Sequence, residues 1–320
     1  MQQDRAQEPE KNIPLLVVAG PTAVGKTALA VRLGHRLQGE IISADSMQVY
    51  RYLDIGTAKP TPAEREGISH HLIDIVDPAE RFTVYNYQEL AQETIRDVFA
   101  RGKLPILAGG TGLYIKAVLE QFSFSRAEAD PLLRKELQEE GQEKGLAHLF
   151  QQLKKIDPEA AERIHPNDAR RIIRALEYFQ VTGEPISRQW DLTRKTQSPY
   201  RVHFAGLYLP RLMLYARIEQ RIDAMLDAGL LDEVRGLLDG GYSPRLKSLQ
   251  SLGYRHLVQY LQGTWTWDEA ISSFKQDTRK YAKRQLTWFR AEPRIQWYEV
   301  RPDQSLEPVL HAISTNVEGL

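Results

Sequence analysis

The sequence contains no cysteine and no long apolar run, and these two absences exclude several classes of protein. Without cysteine the chain forms no disulfide bonds and no thiolate zinc sites. Without a run of about 18 apolar residues, the sequence predicts no membrane-spanning helix. Residues 1–12 are polar and charged, unlike the apolar centre of a signal peptide. We therefore expect a cytoplasmic protein that has no contact with a membrane.

The chain also lacks an excess of charge of either sign. Its 42 lysines and arginines balance 42 aspartates and glutamates, so any nucleic-acid site has to be a local basic patch. A hydrophobic content of 42% and a charged content of 26% are typical of a globular protein. The length of 320 residues fits one large or two modest domains.

Short apolar runs alternate with segments of helical periodicity in most of the chain. The runs have the continuous apolar character of strands that are covered on both faces of a parallel sheet. Helices between such strands predict right-handed crossovers and a doubly wound sheet. The predicted strands are 13–19, 40–44, 104–108 and 202–209, with a possible further strand at 72–76. Helices are expected from the last of these runs to about residue 292.

The segment GPTAVGKT, residues 20–27, fits the pattern G-x-x-x-x-G-K-[ST] and lies between a predicted strand and a predicted helix. In such a P-loop, backbone N–H groups converge on phosphate oxygens, and the helix N-terminus favours their negative charge. Lys26 supplies a cation, and the Thr27 hydroxyl is suited to a Mg²⁺ shell, so Mg²⁺ is the expected cofactor. The predicted phosphate-binding residues are Gly20, Pro21, Thr22, Ala23, Val24, Gly25, Lys26 and Thr27.

The P-loop completes the prediction of fold class: α/β, with a P-loop NTPase-like parallel sheet core and a helical insertion domain. The insertion is the helical and heavily charged part of the sequence, in which no convincing strand is found. The predicted divisions are a flexible N-terminus at 1–12, the core at 13–122 and 200–300, the insertion at 123–199 and a C-terminal tail at 301–320.

The segments that usually accompany a P-loop in nucleotide hydrolases are missing. No N-K-x-D segment is present to read a guanine base, and the apolar run at 104–108 ends in GGTG rather than in a metal-binding acid. P-loops are nevertheless typical of ATP-binding and other nucleotide-binding proteins. The class that remains is a P-loop transferase, which moves a group from the bound phosphate compound to a second substrate.

Asp45 follows the second predicted strand, at the edge of a parallel sheet where ligands bind. Its carboxylate could accept a proton from an attacking group as a general base. It could equally cap a following helix, a common function of aspartate. The sequence around it leaves both interpretations open.

Three sets of basic residues are candidates for binding phosphates. One set lies in the insertion at 170–174, and a second lies in an aromatic-rich helix at 279–290. Each of these could bind nucleic acid or could simply form a solvated helix face. The third set is Arg217 and Arg221, one helical turn apart, which would suit a diphosphate if they faced the P-loop.

Several ordered segments resemble the isopentenyl-tRNA transferase family, the tRNA dimethylallyltransferases. The resemblance covers 13 to about 297. The matching segments are GPTAVGKT at 20–27, ISADSMQVYRYLDIGTAKP at 42–60, HHLIDIVDP at 70–78, ILAGGTGLYIKAVL at 106–119, RIHPNDARRIIRALE at 163–177, SLGYR at 251–255 and RKYAKRQLTWFR at 279–290. Eukaryotic members often have a zinc finger, which a chain without cysteine cannot form, so the bacterial type is implied. The family usually has serine where this chain has Val24.

The resemblance implies transfer of a dimethylallyl group from dimethylallyl diphosphate to the exocyclic amine of the adenosine 3′-adjacent to the anticodon of tRNA. The P-loop and Arg217 would then bind a leaving diphosphate. The implied catalytic residues are Asp45, Thr111 and Lys26. The implied tRNA-binding residues are Asp45, Ser46, Met47, Gln48, Arg134, Arg170, Arg171, Ile172, Ile173 and Arg174, to which we add Arg279, Lys283 and Arg284 of the basic helix. The expected partners are the anticodon stem-loop and dimethylallyl diphosphate, and we expect a monomer.

Two other functions account for part of the sequence. A kinase of small metabolites or nucleosides would use the P-loop for ATP and Asp45 as the base toward a hydroxyl group, but it leaves the two basic helices unexplained. An RNA-binding protein with a regulatory P-loop would explain the basic helices, but not Asp45 or Thr111.

Overall fold

The structure, a computed structural model, describes residues 12–122, 130–195, 198–301 and 303–319. It divides into two compact units, residues 1–119 with 199–320 and residues 120–198. The predicted flexible segment at 1–12 lies, apart from Asn12, outside the described residues. Among the described helices, none combines the length and the apolar character needed to span a bilayer.

The first unit contains a six-stranded sheet in which every neighbouring pair of strands is parallel. The strands are Ile13–Ala19 (β1), Gly39–Ser43 (β2), His70–His71 (β3), Leu104–Gly109 (β4), Tyr200–Tyr208 (β5) and Ile295–Glu299 (β6). Their order in the sheet is β3-β2-β4-β1-β5-β6, so the chain crosses over between strands that are not consecutive. This sheet confirms the predicted α/β fold.

The central strand β1 explains why the sheet forms in this way. All its residues except Pro14 are buried, as is required of a strand that has helices on both faces. Leu16 pairs with Ile106 of β4 on one side and with His203 of β5 on the other. The apolar run IPLLVVA therefore specifies a position in the middle of the sheet.

Helices connect and cover the strands of the first unit. Several begin at a threonine whose hydroxyl accepts a backbone N–H of the first turn, as Thr83 and Thr266 do. The helices of this unit are Lys26–Leu37 (α1), Pro62–Arg65 (α2), Val84–Ala100 (α3), Gly112–Leu119 (α4), Arg211–Asp227 (α10), Leu230–Asp239 (α11), Tyr254–Leu261 (α12), Trp267–Arg290 (α13) and Glu307–Glu318 (α14).

The second unit is entirely helical in its described part and has its own apolar core. Leu149, Leu153 and Ile172 are completely buried in that core. Aspartates cap its helices, with Asp130, Asp157 and Asp168 accepting backbone N–H groups of the first turns. The helices are Pro131–Glu143 (α5), Leu146–Ile156 (α6), Pro158–Arg163 (α7), Ala169–Thr182 (α8) and Ile186–Lys195 (α9).

The structure corrects three details of the sequence interpretation. The strand expected at 72–76 is wrong, because Leu72 and Asp74 have φ angles of 61° and 59° that break an extended chain. The sheet instead contains the short β3 and, after the last long helix, the edge strand β6, which was not predicted. The segment 301–320, expected to be a tail, contains α14.

Helix α14 packs against α1, and its residues Leu310, Ile313 and Val317 are all buried. Their spacing is that of one helix face, and a proline lies in the first turn. The sequence therefore contained the signal for this helix.

Gly109, at the end of β4, lies too close to the neighbouring strand to accept a side chain. A Cβ at this position would lie 2.2 Å from the carbonyl oxygen of Ala44. We predict that Gly109→Ala lowers the free energy of unfolding by about 1–3 kcal/mol, the usual cost of overpacking. Urea unfolding followed by circular dichroism would measure the change.

Gly236 of α11 is the matched control, because a Cβ there would meet no atom within 4 Å. Gly236→Ala should raise the free energy of unfolding by up to about 1 kcal/mol, since alanine favours a helix interior. Equal stability of the two variants would contradict the close approach of Gly109 to the strand beside it.

Candidate active site

Three loops meet at the carboxyl edge of the sheet, after β1, β2 and β4. The P-loop follows β1, Asp45 follows β2, and Thr111 follows β4. The backbone N–H of Thr111 donates to the carbonyl of Ala44 at 3.0 Å, and the Thr111 hydroxyl accepts the N–H of Ser46 at 3.0 Å. The parallel sheet thus brings together residues that the sequence separates widely.

The P-loop has the curled backbone of a phosphate cradle. Ala23 and Gly25 have φ angles of 63° and 105°, in the left-handed region that allows successive N–H groups to point to one side. Gly25 immediately precedes α1 and leaves the first N–H groups of that helix without side-chain caps. Val24 is buried, so this position contributes its backbone to the loop rather than its side chain.

Lys26 folds back over the P-loop. Its Nζ donates to the carbonyl oxygens of Gly20 at 3.1 Å and Pro21 at 2.8 Å. Burial and the neighbouring charge of Arg221 lower the pKa of Lys26 to about 7, and the carboxylate of Asp45 opposes this shift in part. In the free protein, Lys26 is therefore only partly protonated near neutral pH, and it can gain a proton when an anion binds beside it.

Two arginines of α10 complete a positive cluster. A Cβ on Gly25 would lie 3.8 Å from Nη2 of Arg217, so this guanidinium faces the P-loop, as the diphosphate interpretation requires. Burial and the charge of Arg217 lower the pKa of Arg221, while Asp45 opposes the shift. Like charges held this close favour an anion between them. The sequence analysis named Arg221 with Arg217 as a pair suited to a diphosphate, although it assigned only Arg217 to the predicted binding residues.

Asp45 does not cap a helix, because the residues after it form turns. Its Oδ1 accepts the N–H of Met47 at 2.8 Å and so holds the first of these turns. The interpretation of Asp45 as a helix cap is thus wrong, because no helix follows it. Its carboxylate nevertheless accepts a backbone N–H two residues later, as a capping aspartate would. Burial, with a smaller effect of the Asp45 charge, raises the pKa of Tyr281, which keeps this nearby phenol neutral.

The side chain of Gln48 is used within its own loop. Its Oε1 accepts from the Ser43 hydroxyl at 2.9 Å, and its Nε2 donates to the carbonyl oxygens of Thr57 and Ala58. Both ends of the amide therefore stabilise the loop. This geometry favours a supporting function for Gln48 over direct contact with a substrate.

Glu233, which the sequence interpretation missed, fixes the far end of the same loop. Its carboxylate accepts three consecutive backbone N–H groups, those of Asp54, Ile55 and Gly56, and the hydroxyl of Tyr254 at 2.6 Å. No motif in the sequence pointed to this residue, because it lies on α11 and meets the loop only in the fold.

The predicted basic residues of α13 do not all face the same way. Lys283 and Arg284 are exposed and line an open groove of about 430 Å³. Arg279 instead forms an ion pair of 2.5 Å with Glu219 of α10. The groove residues are Lys280, Lys283, Arg284, Thr287 and Trp288.

In the helical unit, the side chain of Glu177 is fully buried and organises two of the predicted arginines. Arg134 approaches it at 2.7 Å and Arg174 at 3.2 Å, and both guanidinium groups remain partly exposed. A buried carboxylate between two cations holds them in fixed orientations. Glu177 is a second residue that the sequence interpretation missed, although it lies within a segment that was singled out.

The other residues predicted on α8 divide into two groups. Arg170 and Arg171 are exposed. Ile172 and Ile173 are buried in the core of the helical unit, with 0% and 8% of their surface accessible. These two isoleucines therefore pack in a hydrophobic core and are not in a position to contact a nucleic acid.

The described residues contain no cluster of three or more histidine or carboxylate groups that could hold a metal ion. The exposed Thr27 hydroxyl at the start of α1 is the oxygen donor that the P-loop offers. Such a sparse donor set fits Mg²⁺, which keeps most of its waters and is commonly bound through the phosphate oxygens of a substrate.

Comparisons with known proteins all give the same kind of match. The family model described as IPP transferase matches residues 48–292. The chain is 49% identical to the tRNA dimethylallyltransferase of Carboxydothermus hydrogenoformans, over 94% of this chain and 96% of that protein. It is 51% identical to the tRNA dimethylallyltransferase of Moorella thermoacetica, over 94% of each chain.

Solved structures agree with the sequence relatives. The tRNA isopentenylpyrophosphate transferase of Bacillus halodurans has a TM-score of 0.72 and 44% identity, covering 96% of this chain and 98% of its own. A eukaryotic dimethylallyltransferase acting on tRNA has a TM-score of 0.82 and 29% identity, covering 96% of this chain and 79% of its own.

The lowered pKa of Lys26 predicts proton uptake when a diphosphate binds. Between the folded pKa of about 7 and the ordinary value of 10.5, the free folded protein binds fewer protons here than the unfolded chain. Its stability should therefore rise with pH across this range. A bound diphosphate raises the pKa again, so an alkyl diphosphate that is fully ionised at pH 8 should bind together with nearly one proton.

Titration calorimetry at pH 8 in buffers of different ionisation enthalpy would measure this uptake. Lys26→Met keeps the length of the side chain and removes the titrating group, so the uptake should disappear in this variant. Binding heats of the wild-type protein that do not depend on the buffer would contradict the assignment.

Proposed function

The chain belongs to the IPP transferase family, and we propose that it transfers a dimethylallyl group from dimethylallyl diphosphate to the exocyclic amine of the adenosine 3′-adjacent to the tRNA anticodon. Transfer of a dimethylallyl group to tRNA is the activity for which its relatives are named. The protein is accordingly a transferase. The observation that supports the finer proposal best is the position of three basic side chains, Lys26, Arg217 and Arg221, beside the P-loop, with the carboxylate of Asp45 at the same edge of the sheet.

The positive cluster suits a diphosphate that leaves as an anion. During transfer, the bond between the dimethylallyl carbon and the diphosphate oxygen breaks, and its electron pair stays on the oxygen. Lys26, Arg217 and the N–H groups at the start of α1 would stabilise the charge that develops there. In this assignment, the loop holds the leaving group rather than the phosphate that is transferred by a kinase.

Asp45 would act on the other reactant. As the amine nitrogen bonds to the dimethylallyl carbon, it loses a proton, and the Asp45 carboxylate would accept this proton as a general base. The hydrogen bond to the N–H of Met47 uses Oδ1 and holds the carboxyl group in place. Thr111 would support this arrangement through its bond to the N–H of Ser46.

Mg²⁺ would be held by the Thr27 hydroxyl and by oxygens of the diphosphate and water. When it is bound, the ion would supply further positive charge to the leaving group. The residues of the chain bind and orient the diphosphate in this proposal.

Each unit, taken by itself, has basic side chains that would bind tRNA. Lys283 and Arg284 line the groove on α13, and Arg134 and Arg174 project from their shared partner Glu177. Contacts of this kind neutralise phosphates and position the nucleic acid. The target adenosine must leave its stack for the amine to reach the donor.

Incubation with unmodified tRNA and either labelled dimethylallyl diphosphate or labelled ATP separates the three functions considered. Label that enters tRNA only from the dimethylallyl donor supports the proposal. Label that passes from ATP to a small molecule would indicate a kinase. Binding of tRNA without any transfer would indicate an RNA-binding protein.

Two variants of Asp45 separate its function as a general base from its hydrogen bond to the turn that follows it. Asp45→Asn keeps an oxygen for the N–H of Met47 but loses the base, whereas Asp45→Ala loses both. We predict that turnover falls by about 100-fold or more in both variants, because a general base contributes at least this factor. Affinity for tRNA, measured by filter binding, should stay within a few-fold of the wild type. Near-normal turnover of Asp45→Asn would show that Asp45 stabilises the turn and does not act as a general base.

Arg174→Ala should weaken tRNA binding most at low salt. Loss of one phosphate contact reduces the slope of log affinity against log salt concentration by about 1. Arg188→Ala is the control on the same unit, because Arg188 is exposed and pairs with the neighbouring Glu184. Equal salt slopes for the two variants would assign Arg174 to a solvated helix face. Filter binding across a series of salt concentrations measures the slope for each variant.

A further inference from the structure

Three residues on one face of α13 each lie beside one residue of the turn that follows β4. Tyr281, Gln285 and Trp288 follow one another at helical spacing, four and three residues apart. Their partners in the turn are Thr111, Gly110 and Gly112, respectively. This one-to-one match means that α13 determines where the turn lies.

The contacts of the outer two residues are close. The Thr111 side chain lies near enough to the Tyr281 phenol to oppose, in part, the rise of its pKa that burial causes. A Cβ on Gly112 would lie 2.2 Å from the ring of Trp288, so the turn passes directly against the indole. The contact with Trp288 leaves no space for the turn to move toward the helix.

Gln285, between these two residues, also contacts the P-loop. Its Nε2 donates to the carbonyl oxygen of Gly110 at 2.9 Å, and its Oε1 accepts the N–H of Thr22 at 2.9 Å. The residue is 7% exposed, so water does not compete strongly for either bond. Because a carboxamide has a donor and an acceptor on one rigid plane, it fixes the distance between the two loops.

The two loops hold the two sides of the proposed reaction. Thr22 belongs to the loop that would cradle the diphosphate. Gly110 leads into Thr111, whose hydroxyl holds the N–H of Ser46 next to Asp45. Gln285 thus contacts both the loop that would cradle the diphosphate and the turn that supports the loop of Asp45.

We propose that Gln285 is a positioning residue, which holds the diphosphate loop and the Thr111 turn at the separation that transfer requires. The proposal rests on the proposed function, in which the P-loop holds the leaving diphosphate and the Thr111 turn supports Asp45, the general base. Gln285 itself touches no reacting atom. It acts by keeping the donor carbon and the attacking amine in reach of each other, and a misplacement of about 1 Å can reduce a rate by roughly 100-fold.

Gln285→Met removes both hydrogen bonds and keeps a side chain of similar length. We expect kcat to fall by about 10–100-fold, since the P-loop and the Thr111 turn lose the side chain that hydrogen-bonds to both. The KM for dimethylallyl diphosphate and the Kd for tRNA should each stay within about 3-fold, because Lys26, Arg217, Lys283 and Arg284 are unchanged. Gln276→Met is the matched control on the same helix, where the exposed glutamine accepts only from Lys280 in the described contacts. This variant should keep the wild-type kcat.

Gln285→Glu supplies a readout that loss of folding alone would not give. Ionised glutamate can still accept the N–H of Thr22 but cannot donate to Gly110, whereas protonated glutamate can do both. The activity of the variant relative to the wild type at the same pH should therefore rise as pH falls from about 8 to about 5.5, since burial raises the pKa of a carboxyl group. Asp45, Lys26 and Tyr281 are present in both proteins, so the ratio isolates the new group.

The outcomes distinguish this inference from the proposed function. A wild-type protein that transfers no label from dimethylallyl diphosphate refutes the proposed function. Wild-type transfer with an unchanged kcat in Gln285→Met, or with a loss confined to tRNA affinity, overturns the positioning role. If Gln285→Met does not fold, an activity ratio of Gln285→Glu that is constant across the pH series overturns it as well.

Discussion

The burial of neighbouring basic side chains is the constraint on which the site depends. Burial lowers the pKa of Lys26 and of Arg221. A neighbouring positive charge lowers each pKa further, Arg221 for Lys26 and Arg217 for Arg221. The fold maintains this unfavourable cluster because the P-loop and α10 are held rigidly, and Asp45 offsets only part of it. An anion that enters the cluster relieves the repulsion, so the protein stores binding energy for a diphosphate in its free state.

The rigidity comes from contacts that lie outside the phosphate loop. The carboxylate of Glu233 holds one end of the loop that begins at Asp45, and the amide of Gln48 closes it internally. Gln285 joins the P-loop to the turn that contains Thr111. In the helical unit, Glu177 has the same kind of function for two arginines. In each case a polar side chain, buried for Glu177 and Gln285 and partly buried for Glu233 and Gln48, fixes groups that a ligand would reach.

The sequence predicted the sheet and the P-loop well because both depend on local patterns. A buried apolar run and a glycine-rich turn are visible in consecutive residues, and Asp45 was found because it follows such a run. Glu233, Glu177 and Gln285 were not assigned functions, because each acts on a partner far away in sequence or through a contact that no motif marks. The strand expected at 72–76 failed because left-handed residues, unusual for leucine and aspartate, interrupt it. In contrast, α14 was missed although its apolar spacing was visible.

The pairing of β1 has a consequence for the order in which the protein acquires its structure during synthesis. Ile13 pairs with Tyr200, and Ala19, the last residue before the P-loop, pairs with Gly206. These partners leave the ribosome only after the whole helical unit has been made. Non-local strand pairing of this kind is slow, because the closure entropy of the intervening chain is lost before the contacts form. The phosphate loop is therefore among the first parts to be synthesised and among the last to be enclosed.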